Sequence, residues 1–128
     1  MLTLDEIEAI ASSFPSVTEG ARHGRRTWFV GKKAFAWERP FTKADIKRFG
    51  DDPVPEGPTI GLATEDLHDK EAILAEELPG FFTIPHFDGY PAYLVDLSEA
   101  SAPDVRDAIR DAWLACAPEQ LAAEYLEG

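Results

Sequence analysis

Two runs rich in aromatic and β-branched residues, Arg26-Thr27-Trp28-Phe29-Val30 and Lys33-Ala34-Phe35-Ala36-Trp37, flank the dipeptide Gly31-Lys32. A glycine in the first of two linking positions accepts the positive φ of a type II′ turn, so this stretch is committed to a tight β-hairpin. Two-residue linkage sets Val30 opposite Lys33 and Trp28 opposite Phe35. Under strict alternation Trp28, Val30, Phe35 and Trp37 share one pleat face, and Phe29, Ala34 and Ala36 the other. The aromatic face is expected to be core, packed beneath a helix.

Helices around this hairpin are marked by their caps. Thr3 and Glu6 form a capping box, and Leu4, Ile7, Ala11 and Phe14 recur at helical spacing up to Pro15, which predicts a helix over 4–13 followed by a loop at 15–20. Thr42 with Asp45 repeats the signature ahead of a short helix over 43–49, and Gly50 suits its C-terminal end. The Pro- and Gly-rich stretch 51–58 reads as an ordered loop, so 39–58 is expected to be a helix-loop insertion between strands. Residues 59–63 predict a strand, and Asp66 or Thr64 caps a helix carrying Leu67, Leu74 and Leu78. Phe81–Ile84 and Ala92–Leu97 read as strands joined by a wide loop over 85–91. Ser101 caps a helix with Val105, Ile109, Ala112 and Cys116 on one stripe and Trp113 beside it, and Pro118 separates it from a last short helix over 119–126.

The order predicts an α+β fold in one domain over 1–128, with a mainly antiparallel sheet packed against helices on one face. Its 128 residues suit one domain. No run approaches the ~18–20 apolar residues of a membrane span, and the acidic start lacks the positive region of a signal peptide, so a cytoplasmic location without a membrane partner is expected.

Charge is distributed unevenly. The net charge is −12, which at long range repels polyanions. Yet residues 22–48 hold nine basic side chains against Glu38 and Asp45 alone, whereas the other 101 residues hold three basic and 22 acidic groups. Such a dipolar surface can present its basic side to a polyanion or an acidic partner, or neutralise the protein's own acidic helices. Lys43, Lys47 and Arg48 are expected on one side of their helix.

Few residues point to catalysis. The serines occupy helix ends without a nucleophile elbow, and the glycines lack the spacing of a phosphate-cradling loop. The one cysteine, Cys116, falls on an apolar stripe where a thiol is inert. His23, His68 and His86 form no ligand pairs, and Asp66, His68 and Asp69 amount to a helix start carrying an imidazole. No cofactor and no metal are expected, and the chain reads as a non-enzyme. The loop Pro85-His86-Phe87-Asp88-Gly89-Tyr90 presents an imidazole and a carboxylate together, facing a ligand or fixing the loop itself.

The run Phe14-Pro15-Ser16-Val17-Thr18-Glu19-Gly20, then His23-Gly24-Arg25 and the hairpin 28–36, resembles the opening of the MmcQ/YjbR family. Leu78-Pro79-Gly80-Phe81-Phe82, Pro85-His86 with Gly89, Asp96-Leu97, Ala112-Trp113 and Ala117-Pro118-Glu119-Gln120-Leu121 follow in the family's order, so the resemblance covers nearly the whole chain. It implies a frataxin-like α+β domain whose C-terminal half is compared to a double-wing DNA-binding motif, and a DNA-binding function without catalytic residues. It also implies a ligand-facing surface formed by Arg22, Arg25, Arg26, Lys32 and Lys33 with the loop at His86, Phe87, Asp88 and Tyr90.

The C-terminal half here is acidic, so phosphate contacts are expected from 22–48: Arg22, Arg25, Arg26, Lys32, Lys33, Lys43, Lys47 and Arg48. Two alternatives stand beside it. One is an adaptor that uses the same basic surface, beside a groove lined by Trp28, Phe87 and Tyr90, to bind an acidic protein or a small anionic ligand; the other is a frataxin-like acidic metal binder drawing on Asp5, Glu6 and Glu8.

Overall fold

A computed structural model describes residues 2–128. It contains helices α1 (Leu4–Ala11), α2 (Lys43–Phe49), α3 (Leu67–Ala75), α4 (Ala102–Cys116) and α5 (Glu119–Glu127). The strands are β1 (Val17–Arg22), β2 (Arg25–Val30), β3 (Lys33–Glu38), β4 (Thr59–Ala63), β5 (Phe81–Phe82) and β6 (Ala92–Asp96), and a 3₁₀ turn spans Pro85–Phe87. The strands form one open sheet in the order β1-β2-β3-β4-β6-β5, antiparallel at every pairing. This is the expected α+β domain. No helix of the described residues is long and apolar enough to cross a membrane.

The caps lie where the sequence puts them. Thr3 and Glu6 close a capping box on α1, Thr42 and Asp45 on α2, and Asp66 and Ser101 each accept a backbone N–H at the starts of α3 and α4. Each satisfies amides that the first helical turn leaves without partners. The helix expected over 4–13 ends earlier, with Ser12 as its cap. The stretch expected as a loop at 15–20 is instead mostly strand β1, which turns into β2 through His23-Gly24, both with positive φ (55° and 74°). That is the geometry of a type I′ turn, whose twist matches a hairpin. β1 carries no strand signature in the sequence because it is an exposed edge strand without apolar alternation.

The central hairpin carries the main correction. Val30 pairs with Lys33 as expected, but Trp28 pairs with Ala36 and Phe29 with Ala34, so Phe35 is an extra residue in a β-bulge. A bulge sets two residues against one and reverses the alternation beyond it. Phe35 and Ala36 therefore both join Trp28 and Val30 in the buried core, and Trp37 moves to the opposite face.

The two sheet faces consequently differ. On the inner face Trp28, Val30, Phe35, Ile60, Leu62, Tyr93 and Val95 pack with Ile7 of α1 and with Val105, Ile109, Ala112 and Trp113 of α4. The Trp113 indole stacks on Phe14 at 5.7 Å and donates to the Pro15 carbonyl at 3.2 Å, which ties α4 to the end of α1. On the outer face a smaller apolar cluster, Ile84, Phe87, Ala92 and Leu94 with Trp37, Phe41, Phe49 and Phe82, attaches α2 and the 3₁₀ turn to the sheet. The 39–58 insertion thus covers part of the face that α1, α3, α4 and α5 leave open.

Candidate functional site

The outer cluster covers only part of its face. Beside it lies an open pocket of about 820 Å3. Thr27, Ala34, Trp37 and Glu38 of β2 and β3 line it, together with Arg22, His23 and Arg25 at the β1–β2 turn, Arg39–Thr42, then Ala44, Asp45 and Arg48 of α2, and His86, Phe87 and Tyr90.

Trp37 takes its place here because of Gly61. These two residues pair across β3 and β4, and a Cβ on Gly61 would stand 2.5 Å from the indole ring. The bare backbone of Gly61 therefore gives the ring its seat. Trp28 and Trp113 donate their indole N–H groups to Glu19 and to the Pro15 carbonyl.

Arg22 and Arg25 face each other directly across the β1–β2 ladder. Like charges in that relation oppose strand pairing. Among the described residues neither has a carboxylate within ion-pair distance, and the same holds for Arg48. All three side chains are exposed.

Arg39, which the sequence reading left out of the site, occupies the same pocket. Its Nη1 donates to Asp45 Oδ2 at 3.0 Å and to the Pro40 carbonyl, and its guanidinium lies 5.6 Å from the Phe87 ring centroid. Burial works to raise the Asp45 carboxyl, but the Thr42 backbone N–H, the Arg39 guanidinium and the Thr42 hydroxyl outweigh it and hold the group below its ordinary value. The ion pair anchors the α2 wall to the strand side.

The loop wall is held from behind. Lys70 of α3 is buried, and its Nζ donates to the carbonyls of Phe87 at 2.6 Å and Tyr90 at 2.9 Å. Desolvation lowers its pKa against the attraction of Asp88. We expect Lys70→Met, which keeps the length of the stem and removes the donors, to cost about 2 kcal/mol through the loss of two charge-assisted hydrogen bonds, each carbonyl keeping one backbone donor, the Tyr90 N–H on Phe87 and the Ala92 N–H on Tyr90. Urea denaturation checks this, and an unchanged midpoint would show that the ammonium does not hold the loop.

The other nominated residues lie elsewhere. Arg26 belongs to the inner-face register and donates to Asp5 at 3.1 Å, Glu8 at 2.7 Å and Glu19 at 3.1 Å, with its guanidinium 5.4 Å from the Trp28 ring. The Glu19 carboxylate above all, with Asp5 and Glu8, raises its pKa further against desolvation. Its charge is compensated within the fold. Lys32 and Lys33 sit at the β2–β3 turn, and Lys33 shares the Val30 register of the inner face. Lys43 and Lys47 are exposed on α2 but do not line the pocket, because Ala44 and Arg48 form the neighbouring i, i+4 row that does. His86, Phe87 and Tyr90 reach the pocket and Asp88 does not. Trp28, placed beside a binding groove in the adaptor reading, is buried in the inner core.

Metal and nucleophile chemistry have little to draw on. Asp5 and Glu8 are engaged by Arg26, and Glu6 closes the α1 cap. Among the described residues no group of three or more histidine, cysteine or acidic side chains is arranged to hold a metal ion. Cys116 is half-buried, and burial raises its thiol pKa despite Lys33 nearby. A second cleft of about 330 Å3 between α3 and α4 collects Glu65, Asp69 and Asp111. Burial raises the Asp111 carboxyl there, opposed by Arg110.

No family model matches the chain. Comparison with known proteins finds the uncharacterized protein Rv2570 of Mycobacterium tuberculosis, 42% identical over 129 residues that span 98% of this chain and 97% of the relative. The uncharacterized protein Mb2600 of Mycobacterium bovis matches with the same identity and the same coverage. This chain belongs to their family. The match runs over nearly the whole length of both relatives.

Proposed function

We propose that this chain is a non-enzymatic DNA-binding protein of the MmcQ/YjbR type that contacts phosphates from the outer face of its sheet. One observation carries the reading. Arg22 and Arg25 are held opposite each other and line the same pocket as Arg48, with no carboxylate within ion-pair distance of any of the three among the described residues. A like-charge pair that opposes strand pairing is accounted for by an anion brought from outside. The contact set becomes Arg22, Arg25 and Arg48, with Lys43 and Lys47 on the next row of α2 as long-range attractors. Arg26 leaves it, because three carboxylates already hold its guanidinium.

Fluorescence anisotropy of a labelled oligonucleotide, titrated at several salt concentrations, tests the reading. Arg25→Glu should weaken binding about tenfold and lower the slope of log K against log salt by ~0.9, the loss of one phosphate contact. Unchanged affinity and slope would remove the arginine pair from the interface. A second reading, a small anionic ligand, is favoured by the pocket volume, which falls within the ~300–1,000 Å3 of small-molecule sites. Calorimetric heat with phosphate compounds, together with no DNA binding at low salt, would replace the first reading with this one.

A further inference from the structure

The pocket holds more than a phosphate site needs. Cations enter from the β1–β2 turn and from α2, whereas aromatic rings enter from β3 and the 85–90 loop. Tyr90 is 53% exposed and stands edge-on to Phe87 at 5.9 Å, so the buried ring braces the exposed one. Trp37 has its indole N–H free of any protein acceptor among the described residues, in contrast to Trp28 and Trp113. The walls therefore offer four arginines against the carboxylates of Glu38 and Asp45, and an exposed π surface, within one concavity.

A duplex cannot use these groups together. Its bases are paired and stacked inside the helix, and only phosphates reach a concave rim of this size. An unpaired nucleotide can turn its base inward and stack it on an aromatic ring while its phosphate stays at the arginines. We infer that the pocket takes one unpaired nucleotide of a DNA strand, with the phosphate at Arg22, Arg25 and Arg48 and the base against Tyr90 and Trp37. This rests on the DNA-binding reading and makes it specific for single-stranded or frayed DNA.

The test compares a labelled single-stranded oligothymidylate with a duplex of equal length at low salt, using the full chain with Tyr90→Leu and Tyr90→Phe. Tyr90 is exposed, so both variants should fold, and circular dichroism verifies it. The wild type should bind the single strand more tightly. Tyr90→Leu should weaken that binding about tenfold, in line with the loss of one base–aromatic stack, and leave duplex binding unchanged. Tyr90→Phe should keep the wild-type affinity, because the ring is retained.

Equal binding of the two DNA forms, weakened by Arg25→Glu but indifferent to Tyr90→Leu, would overturn the nucleotide assignment and leave phosphate binding standing. Failure of the wild type to bind either form would overturn both.

Discussion

Gly61→Ala is expected to cost about 3 kcal/mol, at the upper end of what overpacking a filled site costs. The new methyl would stand 2.5 Å from Cε2 and Nε1 of Trp37 and 2.8 Å from Cζ2. The indole can retreat only toward the pocket, because elsewhere it packs with the outer cluster of Ile84, Phe87, Ala92 and Leu94. Displacing it would reshape the pocket that it lines. The variant should therefore lose stability in urea and also lose DNA affinity, with a shift in tryptophan emission, since Trp28 and Trp113 lie in the inner core. A double-mutant cycle with Trp37→Leu gives the decisive measurement: the smaller side chain should recover part of the loss. If Gly61→Ala is neutral, the indole does not depend on this seat.

Asp45→Ala is expected to cost about as much, about 3 kcal/mol, for a different reason. It removes the acceptor from the Thr42 backbone N–H at 2.9 Å and from Arg39 at 3.0 Å, and so breaks a buried ion pair and a helix cap together. Breaking such a pair is costly chiefly because the remaining charge stays where water is scarce. Arg39 keeps 16% of its side-chain surface exposed, which holds the figure at the lower end of the usual range.

The pH dependence has a definite sign. The folded-state pKa of Asp45 lies below the ordinary carboxylate value. Its stabilising contribution is thus fully present above that value and is lost as pH falls through the lower, folded-state value. The stability gap between wild type and Asp45→Ala should be constant near neutrality and close as the solution becomes strongly acidic. Chemical denaturation at a series of pH values measures it. A gap that does not narrow in acid would show that the carboxylate charge contributes nothing.

The elements most legible in the sequence are those whose cause is local. Thr3 with Glu6, Thr42 with Asp45, and Ser101 announce their helices because a cap is settled within four residues. The strand Thr59–Ala63 and the helix Lys43–Phe49 appear with the bounds read from the sequence. β1 is hidden in the sequence, since its pairing to β2 is made by backbone groups while all its side chains but Val17 are exposed.

The site was legible as charge and not as geometry. The excess of basic residues over 22–48 pointed to the right part of the chain, but composition cannot say which cation is already compensated. Arg26 is held by Asp5 and Glu8, 21 and 18 residues away along the chain. In the sequence Arg39 reads as part of a general basic excess and Trp37 as core, so neither marks the pocket that both line.

By itself the sequence determined the α+β class, the helix starts, the central hairpin and the concentration of positive charge, all of which follow from spacing, capping and composition over short stretches. Tertiary structure decided which side of the sheet each of those residues meets. One extra residue at Phe35 reverses the alternation, sends Trp37 to the outer face and makes it part of a pocket wall. The physical reason is the two-residue period of a strand: a shift of a single position exchanges core for surface, and only the pairing partner across the ladder determines whether that shift occurs.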